Sequence, residues 1–202
     1  MMEPDKQTDQ AHQITILGID PGVSKGGIAI KDATGKISVQ KMPKAEKDLA
    51  DLVKALYAEH PNMIVVIEQV GTHMAGNAAS TSVTFGRHIG SLHMAFHMLD
   101  VPVMTVRPVV WEQAVAPDRP KTGKMKKDAG ESDTGFKKRR REQFDKDKKG
   151  RKLHIKELMQ EKYPDIKVTE WNSDALGILT YALDYGFPLQ VDNSLQEQEK
   201  VL

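Results

Sequence analysis

Residues 14–22 read ITILGIDPG, and this stretch decides the fold. An apolar, β-branched run ends in the carboxylate of Asp20, and the Pro21-Gly22 pair breaks the strand that the run predicts. The chain resumes at Gly26-Gly27 with a second short apolar run. We therefore predict a strand over 14–20 that opens a meander of three strands joined by tight turns.

The elements after the meander alternate between helix and strand. Helices are predicted where apolar residues recur three and four positions apart. Residues 63–68 (MIVVIE) are instead apolar almost throughout, as in a central strand, and end in Glu68. The further predicted elements are strands at 28–30, 37–42 and 101–106, and helices at about 46–60, 78–99, 108–114, 152–162 and 173–185. This order predicts an α/β fold with a mixed sheet flanked by helices.

The charge of the chain is unevenly distributed. The 202 residues carry a net charge of +1 and contain no cysteine, which excludes disulfides and thiolate metal sites. Residues 118–152 hold 15 Lys and Arg against 7 Asp and Glu, which leaves an acidic remainder. One basic segment on an acidic body is expected of a protein that meets a polyanion at one place. A solvated insertion without a partner is the alternative.

The same segment divides the chain. Residues 117–151 are rich in charge and poor in apolar side chains, so we predict a mobile loop or loosely held arm there. The ordered domain is predicted to span 14–188 with this basic insertion, between polar tails at 1–13 and 189–202. No run of eighteen apolar residues is present, so a membrane span is not expected. We expect a cytoplasmic protein, in a bacterium or a phage-infected host.

Three carboxylates lie at positions where they could bind a metal ion for catalysis. Asp20 and Glu68 end two predicted strands, and Asp174 begins the last predicted helix. If the two strands are neighbours, both side chains emerge at one edge of the sheet. Mg²⁺ prefers carboxylate oxygens, and two such ions can activate water against a phosphodiester. Taken singly, Asp20 could be a turn residue and Asp174 a helix cap.

The sequence motifs around these acids resemble those of a known protein family. The segments ILGIDPG, VVIEQV, MAGNAAS and SDALGILTYAL occur in the order found in the RuvC family of Holliday-junction resolvases, which have an RNase H-like fold. The resemblance covers about residues 14–116 and 150–186. The stretch VRPVVWEQAV and the basic segment after it resemble the bacteriophage-type members most.

The resemblance implies a mechanism and its ligands. Asp20, Glu68 and Asp174 match acids that bind the metal, and the expected activity is Mg²⁺-dependent cleavage of four-way or other branched DNA by a metal-activated water. Mn²⁺ is expected to substitute, and the products would carry 5′-phosphate and 3′-hydroxyl ends. Many members have a fourth acid or a histidine where this chain has Trp171. Glu170 is favoured for that role, Asn172 is an alternative, and three acids alone are another.

The resemblance also implies DNA contacts and an assembly. Lys149 and Lys152 are the candidates for the scissile phosphate or the leaving group. A loop that often carries an aromatic residue in the family offers His73, Met74 and Asn77 instead. A homodimer formed partly by the long helix is expected, because a two-fold junction calls for two active sites. The candidate phosphate contacts of the basic segment are Lys137, Lys138, Arg139, Arg140, Arg141, Lys148, Lys149, Arg151 and Lys152.

Two other functions compete with the endonuclease. Trp171 at the position of the missing acid would suit a catalytically silent protein that binds branched DNA. An actin-like ATPase or sugar kinase shares the sheet order and a Gly-Ile-Asp-x-Gly loop, although this chain is short for two such halves and lacks a second phosphate loop.

Overall fold

The computed structural model describes residues 14–70, 79–120, 123 and 125–186, and the side chains of residues 79–81 are not part of that description. Ten helices and strands lie within these ranges. They follow the order β1 (Thr15–Asp20), β2 (Gly27–Lys31), β3 (Ile37–Lys41), α1 (Glu46–Glu59), β4 (Met63–Glu68), α2 (Ala79–His97), β5 (Val103–Val106), α3 (Pro108–Val115), α4 (Asp133–Lys162) and α5 (Ser173–Tyr185). The predicted tails, 1–13 and 189–202, lie outside the described residues.

The five strands form one mixed sheet in the order β3-β2-β1-β4-β5. The first three pair antiparallel as a meander, whereas β1 pairs with β4 and β4 with β5 in parallel. The predicted α/β fold with a mixed five-stranded sheet is therefore confirmed. β1 and β4 are neighbours, which is the condition under which Asp20 and Glu68 emerge together, and their carboxyl ends lie at the same edge.

Each face of the sheet is covered by helices. Side chains alternate along β4, so that Val65 and Ile67 pack beneath α1 and α2 while Val66 faces α3, α4 and α5. Burying an aliphatic side chain of this kind stabilises the fold by roughly 1.5–3 kcal/mol. Both faces are thus tightly covered, and the edge at the carboxyl ends is where polar groups can gather. None of the helices in the described ranges is long and apolar enough to cross a membrane.

Helix α5 lies unusually close to β1. A Cβ built on Gly18 would collide with the backbone of Leu179 and Ala175, and one built on Gly177 would collide with the ring of Trp111. Only glycine permits this approach, which seats the first turn of α5 above the ends of β1 and β4. On the same face of the sheet, a Cβ on Gly27 would meet the backbone oxygen and ring of Trp171. Trp171 therefore packs on β2 rather than facing the strand ends.

The prediction of a mobile arm over 117–151 is wrong for residues 133–151. Helix α4 begins at Asp133, nineteen residues before the predicted start at Lys152, and runs for 30 residues. Low hydrophobicity suggested disorder, but the segment is built largely from Lys, Arg, Glu and Gln, which favour helices. The Ser132 side chain caps the helix by accepting a hydrogen bond from the amide of Gly135 at 3.1 Å.

Arg139 holds the chain that precedes α4 against the helix. Its guanidinium donates to Glu131 at 2.7 and 3.0 Å, and it pairs with Asp128 at 3.0 Å. It also donates to the backbone oxygen of Lys126 at 3.2 Å. This cluster gives a chain with few apolar side chains a defined start to the helix.

The close approach of α5 to β1 predicts the effect of Gly18→Ala. The added methyl group would collide with backbone atoms that cannot rotate away, so we expect the free energy of unfolding to fall by about 1–3 kcal/mol. Urea denaturation measures it. Gly150→Ala in α4 is the control, because its nearest outside neighbour is the Cγ of Pro120 at an ordinary 3.8 Å. That variant should gain up to about 1 kcal/mol, and a Gly18→Ala protein as stable as the parent would contradict the packing argument.

Candidate active site

Two carboxylates meet at the ends of the central strands. Ile19 of β1 is in register with Ile67 of β4, so Asp20 and Glu68 are the next residues on adjacent parallel strands. Parallel strands lie about 4.8 Å apart, which places the two acids side by side at one edge. The register thus meets the condition under which the sequence places both side chains at one edge.

The third acid comes from α5. Asp174 lies in the first turn of the helix, and its carboxylate is nearly buried. It does not cap the helix, since Asn172 occupies that position. Its Oδ2 accepts a hydrogen bond from the Lys152 ammonium at 3.1 Å, and its Oδ1 accepts one from the Ser173 hydroxyl at 3.3 Å. Asp174 is therefore held between α4 and the strand ends.

The negative charges of the three acids affect the pKa values of Asp20 and Glu68. Burial, and then the charge of Asp174, raise the pKa of Asp20 to about 6, against weaker opposing effects of Lys152 and the Gly22 amide. Burial, and then the charge of Asp20, raise the pKa of Glu68 to about 7. Both carboxylates thus ionise at a cost, because each sits in a low-dielectric edge beside another negative charge.

Two neighbours offset part of this cost. The indole Nε1 of Trp111 donates to Glu68 Oε2 at 2.9 Å, and the Gly22 amide donates to Asp20 Oδ1 at 3.3 Å. Burial works against the charge of Lys152, but Asp174, Asp20 and Glu68 outweigh it and raise the pKa of that lysine. The ammonium is the cation that the acidic cluster holds in this structure.

The donor set has the chemistry that a hard divalent cation requires. Carboxylate oxygens are the ligands that Mg²⁺ prefers, and a bound cation would offset both the burial and the mutual repulsion that raise the pKa values of Asp20 and Glu68. Within the described ranges, however, no three acidic or histidine side chains converge closely enough to hold one ion together. The residues fit the metal by chemistry, with Lys152 placed on one of the three acids.

Glu170 lies apart from this cluster. Its side chain is 72% exposed and forms an ion pair with Lys25 at 2.9 Å, and the hydrogen bond from Lys25 lowers its pKa. Asn172, the alternative ligand, is buried, and its carbonyl oxygen accepts from the amide and hydroxyl of Thr169 at 2.7 and 3.2 Å. The structure thus brings three of the four predicted acids together and leaves Glu170 at the rim.

A small cavity opens beside Asp174. It has a volume of about 130 Å³ and is lined by Lys149, Lys152, Leu153, Lys156, Glu170 and Ser173. Three lysines surround a space next to the acidic cluster, which suits an oxyanion. Lys149 and Lys152 were predicted for such a contact, whereas Lys156 was not. The signal that could have revealed Lys156 is its spacing of four residues from Lys152 on one helix.

The other predicted DNA contacts fall into two groups. Those of the basic segment all lie on α4, where Arg139 is engaged by Glu131 and Asp128 and is therefore a structural residue rather than a free phosphate contact. His73, Met74 and Asn77 lie outside the described residues.

Trp111 is a residue of the site whose contact with Glu68 the sequence did not predict. It begins no recognisable motif for binding a carboxylate, yet it reaches Glu68 because β5 pairs with β4 and α3 starts directly after β5. Gly177 of α5 leaves the space for its ring. The three elements together fix the side chain of Glu68.

The raised pKa values predict how stability depends on pH in metal-free buffer. Free carboxyl groups titrate near pH 4, so the unfolded chain ionises more easily than the native one. The cost is absent below about pH 4, grows from about pH 4 to 7 because native Asp20 and Glu68 keep protons that the unfolded chain has lost, and is complete above about pH 7. We expect Glu68→Gln to raise the free energy of unfolding by about 1–2 kcal/mol at about pH 8, after allowance for screening, and not at about pH 4.

Urea denaturation with a chelator present measures this difference. Asp51→Asn is the control of opposite sign, because Lys47 lowers the pKa of that exposed carboxyl. It should show no gain at the higher pH. Equal stability of Glu68→Gln and the parent at both pH values would contradict the electrostatic account.

No model of a known protein family matches the sequence, and comparison with curated proteins finds no similar sequence. Solved structures do resemble the fold. RuvC from Thermus thermophilus matches with a TM-score of 0.49 and 14% identity over 85% of this chain and 96% of that one. The same protein in complex with a Holliday junction substrate matches with a TM-score of 0.52 and 15% identity over 86% and 96%.

The yeast mitochondrial Holliday junction resolvase Ydc2 matches with a TM-score of 0.41 and 12% identity over 93% of this chain and 84% of that one. At sequence identities of 12–15%, structural similarity shows a shared fold and nothing further. The match to the T. thermophilus RuvC of the complex is the one with a TM-score above 0.5 among these three. The chain has the RNase H-like fold of RuvC, as its sequence predicts.

Proposed function

We propose that this chain is a Mg²⁺-dependent endonuclease of the RuvC type that cleaves four-way junctions or other branched DNA. The observation that carries the proposal is the meeting of Asp20, Glu68 and Asp174 at one sheet edge, with two pKa values raised by burial and mutual repulsion. Buried acids with raised pKa values that converge from separate elements are characteristic of functional sites. The fold is that of a protein whose structure with a Holliday junction is known.

The residues divide the work between metal and DNA. Asp20, Glu68 and Asp174 would hold Mg²⁺, with Glu170 as the fourth ligand that the sequence favours. The bound metal would supply an activated water for attack on the phosphodiester, leaving 5′-phosphate and 3′-hydroxyl ends. Trp111 keeps one oxygen of Glu68 in place through its hydrogen bond. Lys152 pairs with Asp174 at 3.1 Å, and a cation bound by the three acids would leave its ammonium available for a DNA phosphate.

Glu68→Gln tests this assignment with little change of shape. The amide oxygen can still accept from Trp111, but the charge that would bind the metal is lost. We expect cleavage of a labelled four-way junction in Mg²⁺ to fall at least about 100-fold, which corresponds to several kcal/mol of transition-state stabilisation. Binding of the junction in Ca²⁺ should stay within about threefold. Glu157→Gln, at an exposed acid of α4, is the matched control and should cleave normally.

The same assay separates the alternatives. Full cleavage by Glu68→Gln would refute the assigned site. A parent protein that binds the junction but never cuts it in Mg²⁺ or Mn²⁺ would instead be an architectural DNA-binding protein. A Glu170→Gln variant that loses as much activity as Glu68→Gln would establish the fourth ligand, and a loss below about tenfold would leave three acids sufficient.

A homodimer is part of the proposal, and α2 offers its surface. Val83 and Met94 of α2, and Met98 directly after it, are large apolar side chains that are exposed. Between them lie Gly86 and Gly90, where a Cβ would meet nothing within 4 Å. Each glycine costs a helix about 1 kcal/mol relative to alanine, and no close approach within the described residues explains either one. The backbone of a second α2 could approach closely there.

Met94→Glu tests the dimer. Light scattering on a size-exclusion column should give the parent protein twice the 22.5 kDa chain mass and the variant a single chain mass. Charge in the middle of an apolar interface costs association much more than charge on open surface. Val109→Glu is the matched control, because Val109 is 58% exposed against 60% for Met94 and lies on α3. A monomeric parent, or loss of the dimer in both variants, would contradict the proposed surface.

A further inference from the structure

Six cations lie along one side of α4. Residues of a helix that are three, four or seven positions apart share a side. The set, called here the α4 basic stripe, consists of Lys138, Arg141, Lys148, Lys149, Lys152 and Lys156. Asp145 fills the gap between its second and third members. The stripe therefore consists of an outer pair and an inner group of four cations, which together span more than half of the helix.

The cations in the outer part of the stripe are available to bind a partner. Lys138, Arg141, Lys148 and Lys149 are exposed, and none of the four forms an ion pair within the described ranges. Arg139, one position away from Lys138 and on another side of the helix, is by contrast fully engaged by acids. The intramolecular ion pairs thus anchor the helix while the stripe keeps its cations for a partner.

The inner end of the stripe reaches the candidate active site. Lys152 contacts Asp174 at 3.1 Å, and together with Lys149 and Lys156 it lines the cavity beside Ser173. The outer end lies beyond the sheet, because the only buried side chains of α4 are Ile155 and Met159 near its carboxyl end, counted over the residues that the structure describes. A ligand along the stripe would therefore start at the acidic cluster and extend outward.

We propose that the α4 basic stripe binds the phosphates of one duplex arm of the DNA along the length of the helix. In this role, called here the rail, it sets the minimum length of that arm. The inference rests on the proposed function, which places a scissile phosphate beside Lys152. A helix rises about 1.5 Å per residue, so Lys138 lies about 21 Å along the axis from Lys152. Duplex DNA rises about 3.4 Å per base pair, and that distance corresponds to about six base pairs. Contacts to phosphates alone make the rail independent of sequence.

Junctions with one arm trimmed to about 12, 8, 6 and 4 base pairs test the rail. Binding is measured in Ca²⁺, by fluorescence anisotropy at several salt concentrations, so that cleavage does not enter. We expect the affinity of the parent protein to hold down to about six base pairs and to fall at least about fivefold at four, as Lys138 and Arg141 lose their phosphates.

The double variant Lys138→Ala/Arg141→Ala removes the outer end of the rail. It should bind the long-armed junction about tenfold more weakly at low salt, lower the slope of log affinity against log salt by about 2, and no longer respond to trimming. The control Lys54→Ala/Lys146→Ala also removes two exposed lysine charges, from α1 and from another side of α4. It should keep the parent's dependence on arm length.

Two results would overturn the inference. Equal losses in both double variants would mean that the stripe acts only through the net charge of the protein. A persistent dependence on arm length in Lys138→Ala/Arg141→Ala would place the rail elsewhere. Because binding is measured without cleavage, an inactive parent protein that still shows the six-base-pair threshold would refute the proposed chemistry and support the rail.

Discussion

The close contact between α5 and β1 is the constraint on which the rest of the structure depends. At Gly18 the strand has no side chain, so the backbone of α5 near Ala175 and Leu179 rests directly on the sheet. The first turn of α5 then hangs over the strand ends, and Asp174 comes into electrostatic contact with Asp20 and Glu68. A bulkier residue at that one position would lift the helix and separate the third acid from the other two.

The same closeness explains why the site is costly and how the cost is limited. Acids gathered at a buried edge repel each other, and neither strand end offers a counter-charge of its own. Trp111 from α3 and Lys152 from α4 supply the partners, one as a neutral donor to Glu68 and the other as a cation to Asp174. Each comes from a different helix on one face of the sheet. The packing of the helices on that face therefore also determines the charge balance of the site.

Sequence patterns predicted the parts of this arrangement that follow from periodicity. The apolar runs ending in Asp20 and Glu68, and the helix beginning at Ser173, were correct to within one or two residues. What periodicity does not contain is the partner of an exposed side chain. Glu170 stands one helical turn before Asp174 in sequence, yet it turns outward to Lys25. Trp111 reaches Glu68 only because two strands pair and a helix follows the second.

The amino-terminal half of α4 differs from the sequence prediction for a related reason. Disorder was inferred from the lack of apolar residues, which measures how much core a segment can bury and not whether its backbone can form a helix. Helix propensity, the cap at Ser132 and the ion pairs of Arg139 act within the segment itself, and its carboxyl half is anchored on the core by Ile155 and Met159. A helix anchored at one end needs no core at the other. The charges of α4 can therefore extend beyond the body of the protein, while Lys152, in the anchored half of the helix, contacts Asp174.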